Sequence, residues 1–348
     1  GVNTFIGYDS GRYNKTGTYN TFVGYEAGTH ATGSSNTFMG YQAGKGGTTS
    51  APFSSGGNNT AVGYAALDAF TTGHSNIAIG PAAGGSITTG NYNTIIGRIA
   101  GSNLTNNEGN VLIGDGAGNG MNSGENSNVI VGFSAGYSID NSLADDNVII
   151  GRDAGSGGSG AFYRNIAIGR DALNSTGTAN VIGVVAIGHN AGTAINHANA
   201  TSTTVVGYLA GSSITSGAGN AAFGYEALKD QSTNGWNLAV GNYSGHAHTG
   251  GYSTFVGTKA GENLTSGNNG IYIGFNTAAS AVDVDSEYVI GAGTSFSDGL
   301  TGGGTETIRI GVSTDYIAND FGENATCTHS SDRRIKIDIK DNTLGLDF

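Results

Sequence analysis

Charge is scarce in this chain. Only 11% of its 348 residues are charged, against roughly a quarter in ordinary globular domains. Proline occurs twice. The one cysteine, Cys327, excludes an intrachain disulfide framework. Lysine and arginine total 14 against 26 acidic residues, so the net charge is −12 and no basic surface invites nucleic acid. No apolar run approaches the roughly 20 residues of a spanning helix, so membrane insertion is not expected. Opening on Gly1, the chain reads as part of something longer.

Glycine, in contrast, supplies 63 residues. In a flexible linker they would fall anywhere; here they hold a register. The phrases NTFIGYDSG, NTFVGYEAG and NTFMGYQAG open at Asn3, Asn20 and Asn36. Aligned on the glycine that closes N-x-x-x-G, eighteen units run from Gly7 to Gly311. Most steps are 16 to 19 residues; one of 23 carries the insert KGGTTSAPFSSGG, and the last is 20. Asparagine opens twelve of the eighteen units, Asn20, Asn93 and Asn147 among them. Gly24, Gly97 and Gly151 close those three, and a small residue follows three positions later: Ala27, Ala100 and Ala154.

Recurrent glycine and the missing 3–4 apolar spacing exclude helix. Each unit reads as two short strands joined by glycine-rich turns, one coil of an all-β parallel β-roll or β-solenoid with about 17 residues per coil. In the strand NTFVG, Thr21 and Val23 share one face and Phe22 takes the other. Both faces stay apolar along the chain, and a thin coil covers only one, so the other calls for identical chains around a common axis. The small position permits close approach, and the repeated asparagine suits a stacked hydrogen-bonding ladder.

Units of this form resemble the head repeats of trimeric autotransporter adhesins of the YadA type, and repeats of phage tail fibres. The resemblance covers residues 1 to about 315. It implies a left-handed roll and a homotrimer, intertwined or side by side. After a connector at 316–330, the stretch SSDRRIKIDIKDNTLGLDF resembles the S-D-x-R-x-K-x-x-I signature that opens the intramolecular chaperone of phage endosialidases and tail fibres. The matching residues are Ser331, Asp332, Arg334, Lys336 and Ile339, so residues 331–348 would be the truncated start of that domain. By that resemblance Ser331 is the nucleophile of an autocleavage and Lys336 its base, with the Ser330–Ser331 bond cut. So short an opening segment is not expected to assemble the site.

Other signals are weaker. GHAHTG sets His246 and His248 two apart, on one face if the stretch is a strand; three chains would offer six imidazoles to a transition metal. The alternative is two exposed turn histidines, and no other cofactor is expected. Asp283, Asp285 and Glu287 match no full calcium loop and read as solvated carboxylates. Asp145 and Asp146 lack an evident facing acid for glycoside hydrolysis. Trp236 and the tyrosines after the repeat glycine (Tyr8, Tyr25, Tyr41, Tyr64, Tyr208, Tyr225) could stack on sugars or pack turn upon turn.

Together these point to a structural fibre protein of a phage tail, located in the virion. It would attach to a host-surface glycan or protein receptor, with specificity in the insert at 45–57. A bacterial surface adhesin, a polysaccharide depolymerase and an ice-binding protein with a threonine array are the alternatives.

Overall fold

A computed structural model describes residues 2–48, 50–51, 53–295 and 298–321, and 324–329 by backbone. The fold is an all-β parallel β-solenoid with about 17 residues per turn. It falls into two compact units, Gly1–Asn220 and Ala221–Phe348, a division that the repeat does not announce.

The first unit stacks twelve three-residue strands, from Thr4–Ile6 to Thr204–Val206. Thr4, Phe5 and Ile6 lie beside Thr21, Phe22 and Val23, and this residue-for-residue register continues coil after coil. In the second unit Ala221–Phe223, Leu238–Val240, Thr254–Val256, Ile271–Ile273, Tyr288–Ala292 and Thr307–Val312 stack in the same way.

The strands are short because left-handed residues close both ends. Tyr19 (φ 63°) precedes Asn20, and Gly24 follows Val23 at φ 141°. Gly24 is also where successive backbones meet: a Cβ there would fall 2.3 Å from the carbonyl oxygen of Gly40.

Phe22, Phe38, Ile95, Leu112, Ile130 and Ile149 point inward and are fully buried, as are Ala27, Ala100 and Ala154. In three coils interior volume is kept by exchange between two positions. The ring of Phe22 lies where a Cβ on Gly28 would come within 2.5 Å. In coils whose central strand residue is Ala61, Ala167 or Ala222, that glycine is replaced by Leu67, Leu173 or Leu228, each fully buried. These leucines keep the left-handed φ near 50°; burying each contributes about 1.5–3 kcal/mol, which offsets a conformational cost of about 1–2 kcal/mol.

Among the described residues the expected second strand is missing from most coils. It survives as Phe162–Tyr163 beside Val181–Ile182, Thr277–Ala278 beside Leu300–Thr301, and two single parallel bridges, Ala31 to Ser54 and Asn91 to Glu108. Elsewhere this side runs as turns and bends between left-handed residues at its ends, as between Gly211 and Gly219 or Gly261 and Asn269. Coils still bond across it, as from Gly28 N to Ala43 O (3.0 Å) and from Thr71 N to Thr88 O (2.8 Å).

The stretch expected as a connector is also structured. Asp315–Asp320 runs antiparallel to Thr307–Val312, and Asn324–His329 runs antiparallel to Asp315–Asp320. This hairpin covers a strand edge that would otherwise expose unpaired amides and carbonyls.

Candidate interface and binding surfaces

The repeated asparagine needs one acceptor and two donors at a single buried corner, and its carboxamide supplies both. Asn20 Oδ1 accepts from Asn36 N (2.8 Å), while its Nδ2 donates to Gly33 O (2.9 Å). Asn93 Oδ1 accepts from Asn110 N (3.1 Å), and its Nδ2 donates to Asn107 O (2.8 Å) and Asn76 Oδ1 (3.0 Å). Asn147 Oδ1 accepts from Asn165 N (2.9 Å), and its Nδ2 donates to Phe162 O (2.6 Å). Each side chain thus closes its own coil and fixes the next. Asn20, Asn93 and Asn147 are buried, so the ladder is internal structure.

Glu287 takes the ladder position in a later unit. Its carboxylate is buried and accepts from Tyr272 Oη (3.0 Å), Ser280 N (3.0 Å) and Gly304 N (2.8 Å). Burial, and then Glu287, push the Tyr272 phenol up. Glu287 therefore faces inward, whereas Asp283 and Asp285 are exposed, which corrects the reading of all three as solvated carboxylates. No cluster of three or more His, Cys, Asp or Glu residues suited to a metal occurs among the described residues.

The histidine pair does not share a face, because GHAHTG forms turn and coil. His246 is half-buried at the surface, with Nε2 3.0 Å from Glu226 Oε2. That carboxylate also takes Lys229 Nζ at 3.0 Å. Burial opposes ionisation of Glu226, but hydrogen bonds from Lys229, Tyr225 and His246 outweigh it and hold the carboxyl below its usual range. The bond to Glu226 in turn pushes Tyr225 up to about 12. Sequence spacing hid this cluster, since its members lie on neighbouring coils.

His248 is fully buried, edge-on to Phe255 at 4.9 Å. Neither ring nitrogen has a hydrogen-bond partner. It occupies the interior position that Leu104 and Leu264 fill elsewhere. Burial lowers its pKa from 6.5 to about 4. The unfolded chain takes up a proton near pH 6.5 that the folded chain refuses until about pH 4. Stability is therefore lost as pH falls through that window, by about 3 kcal/mol at most. His248→Leu should raise the urea midpoint at pH 7 and remove this acid sensitivity; an unchanged pH profile would place the titration elsewhere.

The outer face of the strands is apolar and uncovered. Met39 is 47% exposed and Ile79 38%; Ile96, Ile113 and Val131 are half-buried on the same face. Thr4, Thr21, Thr37 and Thr60 align in register, but Ile77 interrupts the threonine row before Thr94, and Val111 follows.

Flanking this face, Tyr8, Tyr25, Tyr41 and Tyr64 stack at 5.2, 5.2 and 5.3 Å between ring centroids, with planes within 12°. Neighbouring rings occupy their faces, so this ladder packs turn upon turn and offers edges to solvent. The insert is likewise anchored: Phe53 stacks on Tyr13 at 4.7 Å, and Ser54 N donates to His30 O (3.1 Å).

Asp145 Oδ1 accepts from Asn126 N (2.6 Å), and Asp146 lies 4.0 Å from Arg164. Ser331 and Lys336 lie outside the described residues, as does the Ser330–Ser331 bond. Among the described residues, no helix is long and apolar enough to cross a membrane. No protein-family model matches the chain, and no curated protein or solved structure does.

Proposed function

We propose that this chain is a structural fibre protein of a phage tail, assembled as a homotrimer through the outer strand face and used for attachment to a host surface. The observation that carries the reading is the apolar face running along successive coils in register. A parallel sheet is ordinarily covered on both sides, and contiguous apolar surface of this extent marks an interaction site. A second copy of the chain matches the face in period and register, whereas a globular partner would not. Three-fold symmetry and a phage origin rest on the resemblance of the repeats and of the Ser331–Ile339 motif. A bacterial surface adhesin built from the same coils would share the face without that motif.

Ile79→Glu, Ile96→Glu and Ile113→Glu, combined, place three carboxylates on adjacent coils of the face. The expected result is a change in solution mass from trimer to monomer, with the far-ultraviolet circular dichroism unchanged. A trimer that survives all three substitutions would remove this face from the interface.

A further inference from the structure

One column of the coil carries residues that its backbone does not favour. The position before the ladder residue is left-handed in coil after coil; serine and asparagine recur there (Ser35, Asn58, Ser75, Ser127 and Ser202), while Tyr19 and Tyr92 each stand alone, with no aromatic at that position in the coils on either side. In two consecutive coils of the second unit it holds Trp236 (φ 63°) and Tyr252 (φ 59°). Both side chains are bulky for this conformation, and they are 62% and 65% exposed, so burial does not compensate. Neither ring stacks on another among the described residues, in contrast to the Tyr8–Tyr64 ladder.

The next two coils continue the column with Asn269 and Ser286. Tyr252, Asn268, Asn269, Asp285 and Ser286 line an open depression of about 450 Å³. Asp285 Oδ1 is engaged by Asn268 N (2.6 Å) and Asn268 Nδ2 (3.2 Å). Asp285 Oδ2, the Asn269 carboxamide, Ser286 Oγ and Tyr252 Oη have no partner among the described residues.

We infer that this column, Trp236–Tyr252–Asn269–Ser286 with Asp285, binds a neutral oligosaccharide. The apolar C–H face of a pyranose ring covers an exposed aromatic ring, and its hydroxyls both donate and accept. The unpartnered carboxylate oxygen takes hydroxyl protons, while the carboxamide and serine hydroxyl work in both directions. Successive coils advance by about 4.8 Å, a step comparable to one pyranose unit, so a short chain can lie along the column. Asp285 and the net charge of −12 disfavour sialylated or uronic glycans. This names the ligand class for the attachment reading and rests on it for its biological meaning.

The chain has a single tryptophan, so its emission reports the site directly. The full chain is applied to a printed array of neutral and acidic glycans. The neutral oligosaccharides retained are then titrated against tryptophan emission, with solution mass recorded on the same samples. The expected result is retention of neutral glycans, with a saturable emission change. Trp236→Ser and Tyr252→Ser restore the residue type common in this column, so the coil persists. Trp236→Ser should abolish retention on the array, and Tyr252→Ser should weaken the titrated affinity at least tenfold. Retention of no neutral glycan, or of acidic glycans alone, overturns the inference. So does dissociation of a trimer by Trp236→Ser, which would assign the ring to contact between chains. Emission reads a single chain as well as an assembly, so failure of the sugar site and failure of the trimer are separate results.

Discussion

Gly97→Ala should cost about 4 kcal/mol or more, among the largest effects of any single substitution in the repeat region. Two effects combine. At φ 140° any side chain is strained, by roughly 1–3 kcal/mol. The new Cβ would also lie 2.2 Å from Gly114 O and 2.5 Å from its carbonyl carbon. Relief requires the coils to part, which stretches the flanking bonds from Gly114 N to Ile96 O and from Thr94 N to Asn110 O, each 2.8 Å. Gly183→Ala is the control: its φ is 67°, but nothing lies within 4 Å of the added Cβ, so the loss should be about 1–2 kcal/mol. Urea denaturation of both variants separates backbone strain from clash. Equal losses would mean that coil contact is not what requires the glycine.

Asn93→Ala should cost about 2 kcal/mol. It leaves the Asn110 amide unpaired at a buried corner, which costs about 1–3 kcal/mol, while the Asn107 carbonyl loses one donor but keeps the Asn91 amide (3.2 Å). Asn93→Asp keeps an acceptor for the Asn110 amide but turns a carboxylate toward the Asn107 carbonyl. Burial and that repulsion raise the folded-state pKa of the introduced acid. The variant should be most stable at low pH and lose stability as pH rises through that pKa. Thermal melts across the acid range check the sign; a flat profile would place the corner in contact with solvent.

Much of this was legible because one phrase recurs. Gly24, Gly97 and Gly151 mark where backbones meet, and Asn20, Asn93 and Asn147 mark a corner that needs donor and acceptor together. The alternation in NTFVG identified Phe22 and Thr21–Val23 as opposite faces, and the structure puts Phe22 inside. What stayed hidden depends on single residues outside the strand. GHAHTG offers either a shared strand face or two exposed turn histidines, whereas the turn that forms sends His248 into the core. Glu287 looked like a surface acid because its role as a ladder substitute shows only once Tyr272, Ser280 and Gly304 surround it. The second side of the coil looked strand-like in SSITSG and ENLTSG, yet both run as turn and bend between flanking left-handed residues, Gly211 and Gly219 in one and Gly261 and Asn269 in the other. The exposed aromatics divided only in three dimensions: Tyr25 and Tyr41 cover each other, whereas Trp236 and Tyr252 keep open faces.

The central claim is that the outer strand face is an inter-chain core. Light scattering on the full chain through a dilution series tests it most directly. A mass near three times 34.8 kDa, persisting on dilution, is the predicted result. A monomer of 34.8 kDa at all concentrations would contradict it and leave the apolar face of these coils without its proposed partner.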